Sequence, residues 1–281
     1  MVTGKWAATI YSRPVSFEDG QNIVRAYVVN LARSPERRAH MVFELSECAV
    51  EHEFIEAFDG RDLDLADPEI TELIAASFLG SDSFRSGVAG CALSHIAVYR
   101  QILADGLERA LVLEDDITLP RDLGDVADAV GEHLVGAEVA LLNFDSPEPC
   151  RLTRKGSISL ASSRDLVRPV DVSQPESAAA YVITRQACER IVKSAPPVKT
   201  KADDWGYMCR QGLLDGVWCV VPLSVTKDPG FASTINYLRQ SGLKARLLAV
   251  ISRRDLLFAR QIVAYRRKRI WRQYRKVEFV D

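Results

Sequence analysis

The stretch Ala110–Asp116 constrains the fold more than any other part of the chain. A short apolar run, Ala110-Leu111-Val112-Leu113, stops abruptly at three carboxylates, Glu114, Asp115 and Asp116. Such a run reads as a buried strand of a parallel sheet. Acids at its C-terminal end would stand on the rim where open α/β sheets bind ligands. Side chains alternate along an extended chain, so Glu114 and Asp116 point one way and Asp115 the other. Two convergent carboxylates suit Mg²⁺ or Mn²⁺, which take oxygen ligands shared with substrate phosphates. A solvated acidic turn is the plain alternative.

The flanking sequence alternates strand and helix. Ile23–Leu31 is rich in β-branched residues and reads as the first strand. Ser34-Pro35 offers an N-cap and a first-turn proline, and Met41, Leu45 and Cys48 follow at helical spacing, which predicts a helix over 35–48. Phe54–Phe58 is a second short strand, and a short helix is expected near 69–77. A helix from Cys91 to Leu103 precedes the acidic strand, and Asp122–Leu134 and Ala137–Asn143 repeat the helix–strand order. Residues 146–176 read as irregular, with room for a hairpin. Ala179–Thr184 is a strand leading into a helix over 185–194, and Val217–Val221 is expected to be the last strand. This alternation predicts an α/β fold, a mainly parallel sheet with helices on both faces. The expected organisation is an irregular leader over 1–22, one domain over 23–238 and a tail over 239–281.

The tail differs electrically from the body. Arg239–Lys276 holds 13 Lys or Arg and one acid, a charge of +12; the remaining 23 basic and 37 acidic residues give −14. Leu247, Ile251, Phe258, Ile262 and Tyr265 share one helical face, with arginines opposite. That pattern predicts a basic amphipathic helix on an anionic membrane surface. A nucleic-acid partner is not expected, since no recognition motif accompanies the tail. No signal peptide or membrane span is readable, and the six cysteines form no Cys-x-x-Cys pair, so reduced thiols in a cytosolic setting are expected.

The blocks Tyr27-Val28-Val29-Asn30-Leu31-Ala32-Arg33-Ser34-Pro35-Glu36-Arg37-Arg38, Phe54–Arg61, Gly90-Cys91-Ala92-Leu93-Ser94-His95, Leu111–Asp116, Tyr181–Thr184, Asp203-Asp204-Trp205 and Ser233-Thr234-Ile235 occur in that order. Together they resemble glycosyltransferase family 25, the lipooligosaccharide galactosyltransferase-like enzymes related to collagen galactosyltransferase domains. The resemblance covers about residues 24–236. Two positions depart from it: Gly87-Val88-Ala89 lacks a carboxylate many relatives carry, and Ala180 replaces a frequent glycine.

The resemblance implies a glycosyltransferase-A-like, Rossmann-like domain that moves a sugar with inversion. The donor expected is UDP-galactose, and the acceptor a hydroxyl of a lipid-linked, lipopolysaccharide-type glycan at the inner face of a membrane. Glu114 and Asp116 would hold Mn²⁺ or Mg²⁺ against the diphosphate leaving group. Asp115, Asn30, Arg33 and Arg37 are candidates for the donor, Arg33 ahead of Arg37. Inversion needs a base opposite the leaving group, and Asp203 and Asp204 are the candidates, Asp204 slightly favoured, with Asp203 as readily a helix cap. Trp205 is a candidate stacking platform, and Ser94 and His95 stand near the same rim. A Cys91–His95 metal pair is rejected for want of further ligands. The rival functions are a non-catalytic glycan- or nucleotide-binding member of the fold and a metal-dependent nucleotidyltransferase.

Overall fold

The computed structural model describes residues 24–48, 50–160, 163–228, 230–231 and 277–280. The expected leader over 1–22, the Ser233-Thr234-Ile235 block and the basic segment Arg239–Lys276 lie outside the described residues.

The strands are β1 (Ala26–Asn30), β2 (His52–Glu56), β3 (Arg109–Glu114), β4 (Ile117–Thr118), β5 (Glu138–Leu141), β6 (Cys150–Leu160), β7 (Arg164–Pro169), β8 (Ala180–Thr184), β9 (Gly216–Val221), β10 (Thr226–Lys227) and β11 (Val277–Phe279). Nine of them form one sheet in the order β11-β6-β7-β9-β5-β8-β3-β1-β2, while β4 and β10 pair separately. The sheet is mainly parallel: β7 and β8 alone run against the other seven strands. Residues 146–176, expected to be irregular with room for a hairpin, supply the β6–β7 hairpin, which extends the main sheet. Among the described residues, Val217–Val221 is followed by two further strands, one of them, β11, inside the expected tail.

The helices are α1 (Pro35–Cys48), α2 (Pro68–Leu73), α3 (Ala76–Leu79), α4 (Ser86–Ala104), α5 (Leu123–His133), α6 (Arg185–Ser194) and α7 (Trp205–Arg210). They cover both faces, which is why the central strands carry unbroken apolar runs between polar ends rather than apolar residues at alternate positions. Tyr27, Val29, Val112, Tyr181 and Ile183 face α4 and α6 with Leu93, Ile96, Ile102 and Cys188. Val28, Leu111, Leu113 and Val182 face the opposite way, onto Met41 and Leu45 of α1 and Val126 and Val130 of α5.

The α4 helix begins at Ser86, so Gly87–Gly90 lie inside it rather than before it. Two glycines explain how closely it approaches the β2 end. A Cβ on Gly60 would stand 2.3 Å from the Ser86 carbonyl oxygen, and one on Gly90 would stand 2.6 Å from that of Phe58. Only glycine permits that approach, and it draws the first turns of α4 toward the end of β3.

Candidate active site

β1 and β3 are parallel neighbours, with Val29 opposite Glu114. Their C-terminal ends therefore bring Asn30 and Glu114–Asp116 to one edge of the sheet. Asp115 turns toward α1. Its carboxylate accepts from Asn30 Nδ2 at 2.7 Å and from Arg37 Nη1 at 2.8 Å. Arg37 is 6% exposed, lies 3.5 Å from Asp116 Oδ2 and stacks its guanidinium on Phe231, 5.3 Å from the ring centre. Asn30 also donates to the Ser34 carbonyl at 3.3 Å. Arg33, expected to be the better donor contact, is exposed and is bound to Asp59 at 2.6 Å. Of the two arginines, Arg37 is the one the fold buries among the rim carboxylates, on the helix face it shares with Met41 and Leu45.

Glu114 turns the other way, toward α4. Cys91 Sγ donates toward Glu114 Oε1 at 3.8 Å, and His95 Nε2 lies 3.8 Å from the same oxygen. Burial presses the Glu114 carboxyl upward, but His95, Lys227 and Arg37 outweigh it and hold the group below the usual glutamate range. Burial, and then Glu114 and Asp203, push the Cys91 thiol well above its ordinary value, so it is not a ready nucleophile. His95 Nδ1 is 2.7 Å from the Tyr181 hydroxyl, itself 2.8 Å from that of Tyr99. Ser94 has no chemistry to offer: its Oγ accepts from Phe58 N at 2.9 Å and donates to the Gly90 carbonyl at 2.7 Å. The rejection of Cys91 and His95 as metal ligands rested on a missing partner, and the fold supplies one in Glu114.

Two lysines that the sequence reading passed over complete the electrostatics. Burial alone would lower the pKa of Lys227, but Glu114, Asp145, Asp116 and Asp203 together raise it, and its Nζ lies 3.7 Å from Asp145 Oδ2. Lys201 stands 3.0 Å from Glu176 and 3.5 Å from Asp203. Among the described residues, six carboxylates (Glu114, Asp115, Asp116, Asp145, Glu176 and Asp203) thus face three cations (Arg37, Lys201 and Lys227), an excess of three negative charges when all are ionised. Burial, and then Glu114, push the Asp116 carboxyl up to about 6. Asp116 Oδ1 is buried without a hydrogen-bond partner among the described residues. An unsatisfied carboxylate oxygen in a cluster with surplus negative charge fits a hard divalent cation, with Glu114 and Asp116 as the residues that would hold it.

The two candidate bases differ sharply. Asp204 caps α7: Oδ1 accepts from Tyr207 N at 3.0 Å and Oδ2 from Thr200 Oγ1 at 2.6 Å. The cap expected of Asp203 therefore belongs to its neighbour. Asp203 accepts from Ser177 N at 3.1 Å and turns its other oxygen toward Lys201, within electrostatic range of Lys227 and Cys91. Trp205 is 1% exposed and packs edge-on against Tyr181, with ring centres 5.3 Å apart. It is a core residue and offers no stacking surface.

The family model described as glycosyltransferase family 25 (LPS biosynthesis protein) matches residues 23–205, well over half of the chain. The chain belongs to glycosyltransferase family 25. Among curated relatives it is 30% identical over 118 residues to the mouse inactive glycosyltransferase 25 family member 3 and 36% identical over 107 residues to a glycosyltransferase 25 family member of Aedes aegypti. It is 30% identical over 105 residues to the mouse procollagen galactosyltransferase 2. These stretches cover 40%, 36% and 36% of this chain. They span 19%, 17% and 17% of the relatives, about a fifth of their length at most. The family includes members named for sugar transfer and members named inactive. No described helix is long and apolar enough to cross a membrane.

Proposed function

We propose that this family 25 domain transfers a sugar, galactose from UDP-galactose as the first candidate, to a hydroxyl of a lipid-linked, lipopolysaccharide-type glycan, with inversion at the sugar carbon. The observation that carries the reading is the rim itself: carboxylates in excess, one of them with an unpartnered buried oxygen, at the strand ends of a family 25 sheet. A divalent cation bound by Glu114 and Asp116 would supply Lewis-acid stabilisation of the departing diphosphate. Lys227 and Arg37 add fixed positive charge beside the same carboxylates, where negative charge develops on the leaving group.

Asp203 is the base of this proposal. General-base catalysis needs a carboxylate oxygen free to accept the hydroxyl proton. Asp204 has both oxygens engaged, one in capping α7 through Tyr207 N and one by the Thr200 hydroxyl, while Asp203 keeps one oxygen tied only through Lys201 at 3.5 Å. The Ser177 N–H fixes its orientation. The basic stretch Arg239–Lys276 would bring the enzyme to an anionic inner-membrane surface where such acceptors reside.

A second reading draws on the relatives named inactive: the same cleft binds a nucleotide or glycan without turnover. A panel of UDP-sugars with Mn²⁺, read as UDP released against lipooligosaccharide acceptors, separates the two. The proposal expects one donor to turn over and Asp203→Asn to lower that rate by about 10²–10⁴. Binding without UDP release from any donor supports the second reading, and full activity in Asp203→Asn removes Asp203 from its role.

A further inference from the structure

The α4 side of the rim holds two donors, Cys91 and His95, that sugar transfer leaves unused, and both stand beside Glu114. Cys91 and His95, one turn apart on α4, and Glu114 at the end of β3 bring Sγ, Nε2 and a carboxylate oxygen within 4.8 Å of one another. Both α4 donors stand 3.8 Å from the same Glu114 oxygen. Tetrahedral zinc with bonds of about 2.0–2.3 Å sets neighbouring donors about 3.3–3.8 Å apart, so side-chain shifts of about an ångström would close the site.

The histidine gives the independent sign of a ligand. His95 is 1% exposed, and its Nε2 is buried without a hydrogen-bond partner among the described residues. A buried nitrogen left that way costs free energy that a bound cation would recover. Its other nitrogen is held by Tyr181, which Tyr99 holds in turn. Metal-bound imidazoles are characteristically oriented in this way through the nitrogen that does not bind.

We propose that Cys91, His95 and Glu114 form a three-ligand site for a borderline-soft divalent cation such as Zn²⁺. Mixed sulfur, nitrogen and oxygen donors select such ions over Mg²⁺ and Mn²⁺, and three protein ligands leave a fourth position for water. As the sulfur–metal bond forms, the Cys91 thiol gives its proton to solvent, so each ion bound releases one proton and nothing is oxidised or reduced. The site stands on its own geometry. Its consequence for sugar transfer does rest on the function proposed above: a zinc ion here would take Glu114 from the cation of the diphosphate.

Titration of the metal-free full chain with Co²⁺ tests it. The expected result is a thiolate-to-cobalt charge-transfer absorption that saturates at one equivalent, is lost in Cys91→Ser and is kept in Asp116→Asn. No such absorption in the wild type, or one undiminished in a folded Cys91→Ser, overturns the proposal. X-ray absorption at the zinc edge of the wild-type chain, loaded with one equivalent, needs no variant. One sulfur at about 2.3 Å is expected, and a shell of oxygen and nitrogen alone overturns the site. Absorption present while UDP release is absent from every donor breaks the transferase reading and supports this site; UDP release without the absorption does the reverse.

Discussion

The two sides of the rim are built from the same strand end and reach opposite states. On the α1 side, Asp115, Asn30 and Arg37 are joined at 2.7–2.8 Å, with Phe231 over the guanidinium. On the α4 side, Cys91 and His95 stand 3.8 Å from Glu114, and His95 Nε2, like Asp116 Oδ1 beside it on the rim, has no hydrogen-bond partner among the described residues. Neighbouring residues of one acidic run therefore do different work. Asp115 is satisfied by protein and holds α1 to the sheet, while Glu114 and Asp116 keep capacity for a ligand. Buried polar groups are ordinarily paired, so an unpaired one in a cleft points to function more strongly than a paired one does.

The largest effect that would sharpen this contrast is on stability. Arg37→Ala leaves Asp115 buried with Asn30 as its remaining named donor and also strips Asp116 of a cation. Removing one partner of a buried pair costs about 3–5 kcal/mol, read as a lower midpoint in denaturant unfolding. A loss below about 1 kcal/mol would show that the α1 side is no more closed than the other.

Asp116→Asn should act in the opposite direction. The folded carboxyl titrates at about 6 against an ordinary 3.8, so between those values the folded state holds a proton that the unfolded chain has lost. Stability therefore falls as pH rises from about 4 to 6 and then levels. The asparagine variant escapes that fall. In metal-free protein it should match the wild type near pH 4 and exceed it at pH 7 by on the order of 2 kcal/mol, and Mn²⁺ added to the wild type should narrow the gap. Parallel curves for the two proteins would mean that Asp116 is not strained by burial beside Glu114.

How far the sequence foretold these sides follows from sequence distance. The strand β3, its terminal acids and the helices α1, α5 and α6 were legible because each carries its own apolar period. The Gly60 and Gly90 blocks were legible as motifs, but their cause, a backbone approach between the β2 end and α4, needs three dimensions. Arg37 lies 78 residues from Asp115; its spacing from Met41 and Leu45 puts it on the buried face of its helix, but the carboxylate it meets there is set by the fold. Lys227 was missed because β10 is two residues long, too short to leave a pattern, and Asp145 because it follows a strand without belonging to it. Trp205 misled because an aromatic beside paired acids looks like a sugar platform until its burial is seen.

Gly90→Ala probes the approach that brings the open side into being. Its Cβ would meet the Phe58 carbonyl oxygen at 2.6 Å and the Gly60 nitrogen at 2.9 Å, both backbone atoms. Relief requires α4 to retreat, at about 1–2 kcal/mol, and Cys91 and His95 move with it. A drop in thermal midpoint together with weaker Co²⁺ binding is expected; lost stability with unchanged Co²⁺ affinity would separate α4 placement from the donor cluster.

The smallest effect comes from the closed member of the other acidic pair. Asp204→Asn keeps an oxygen for the Tyr207 N–H, and asparagine caps helices as well as aspartate does. Thr200 can turn its hydroxyl to accept from the new amide in place of donating to the old carboxylate. Stability should change by less than about 0.5 kcal/mol, and UDP release should stay near the wild-type rate while Asp203→Asn loses it. The comparison is sharp because the two substitutions remove the same charge one residue apart. Equal losses in both variants would mean that the negative field of the pair, rather than a free oxygen on Asp203, is what the acceptor hydroxyl needs.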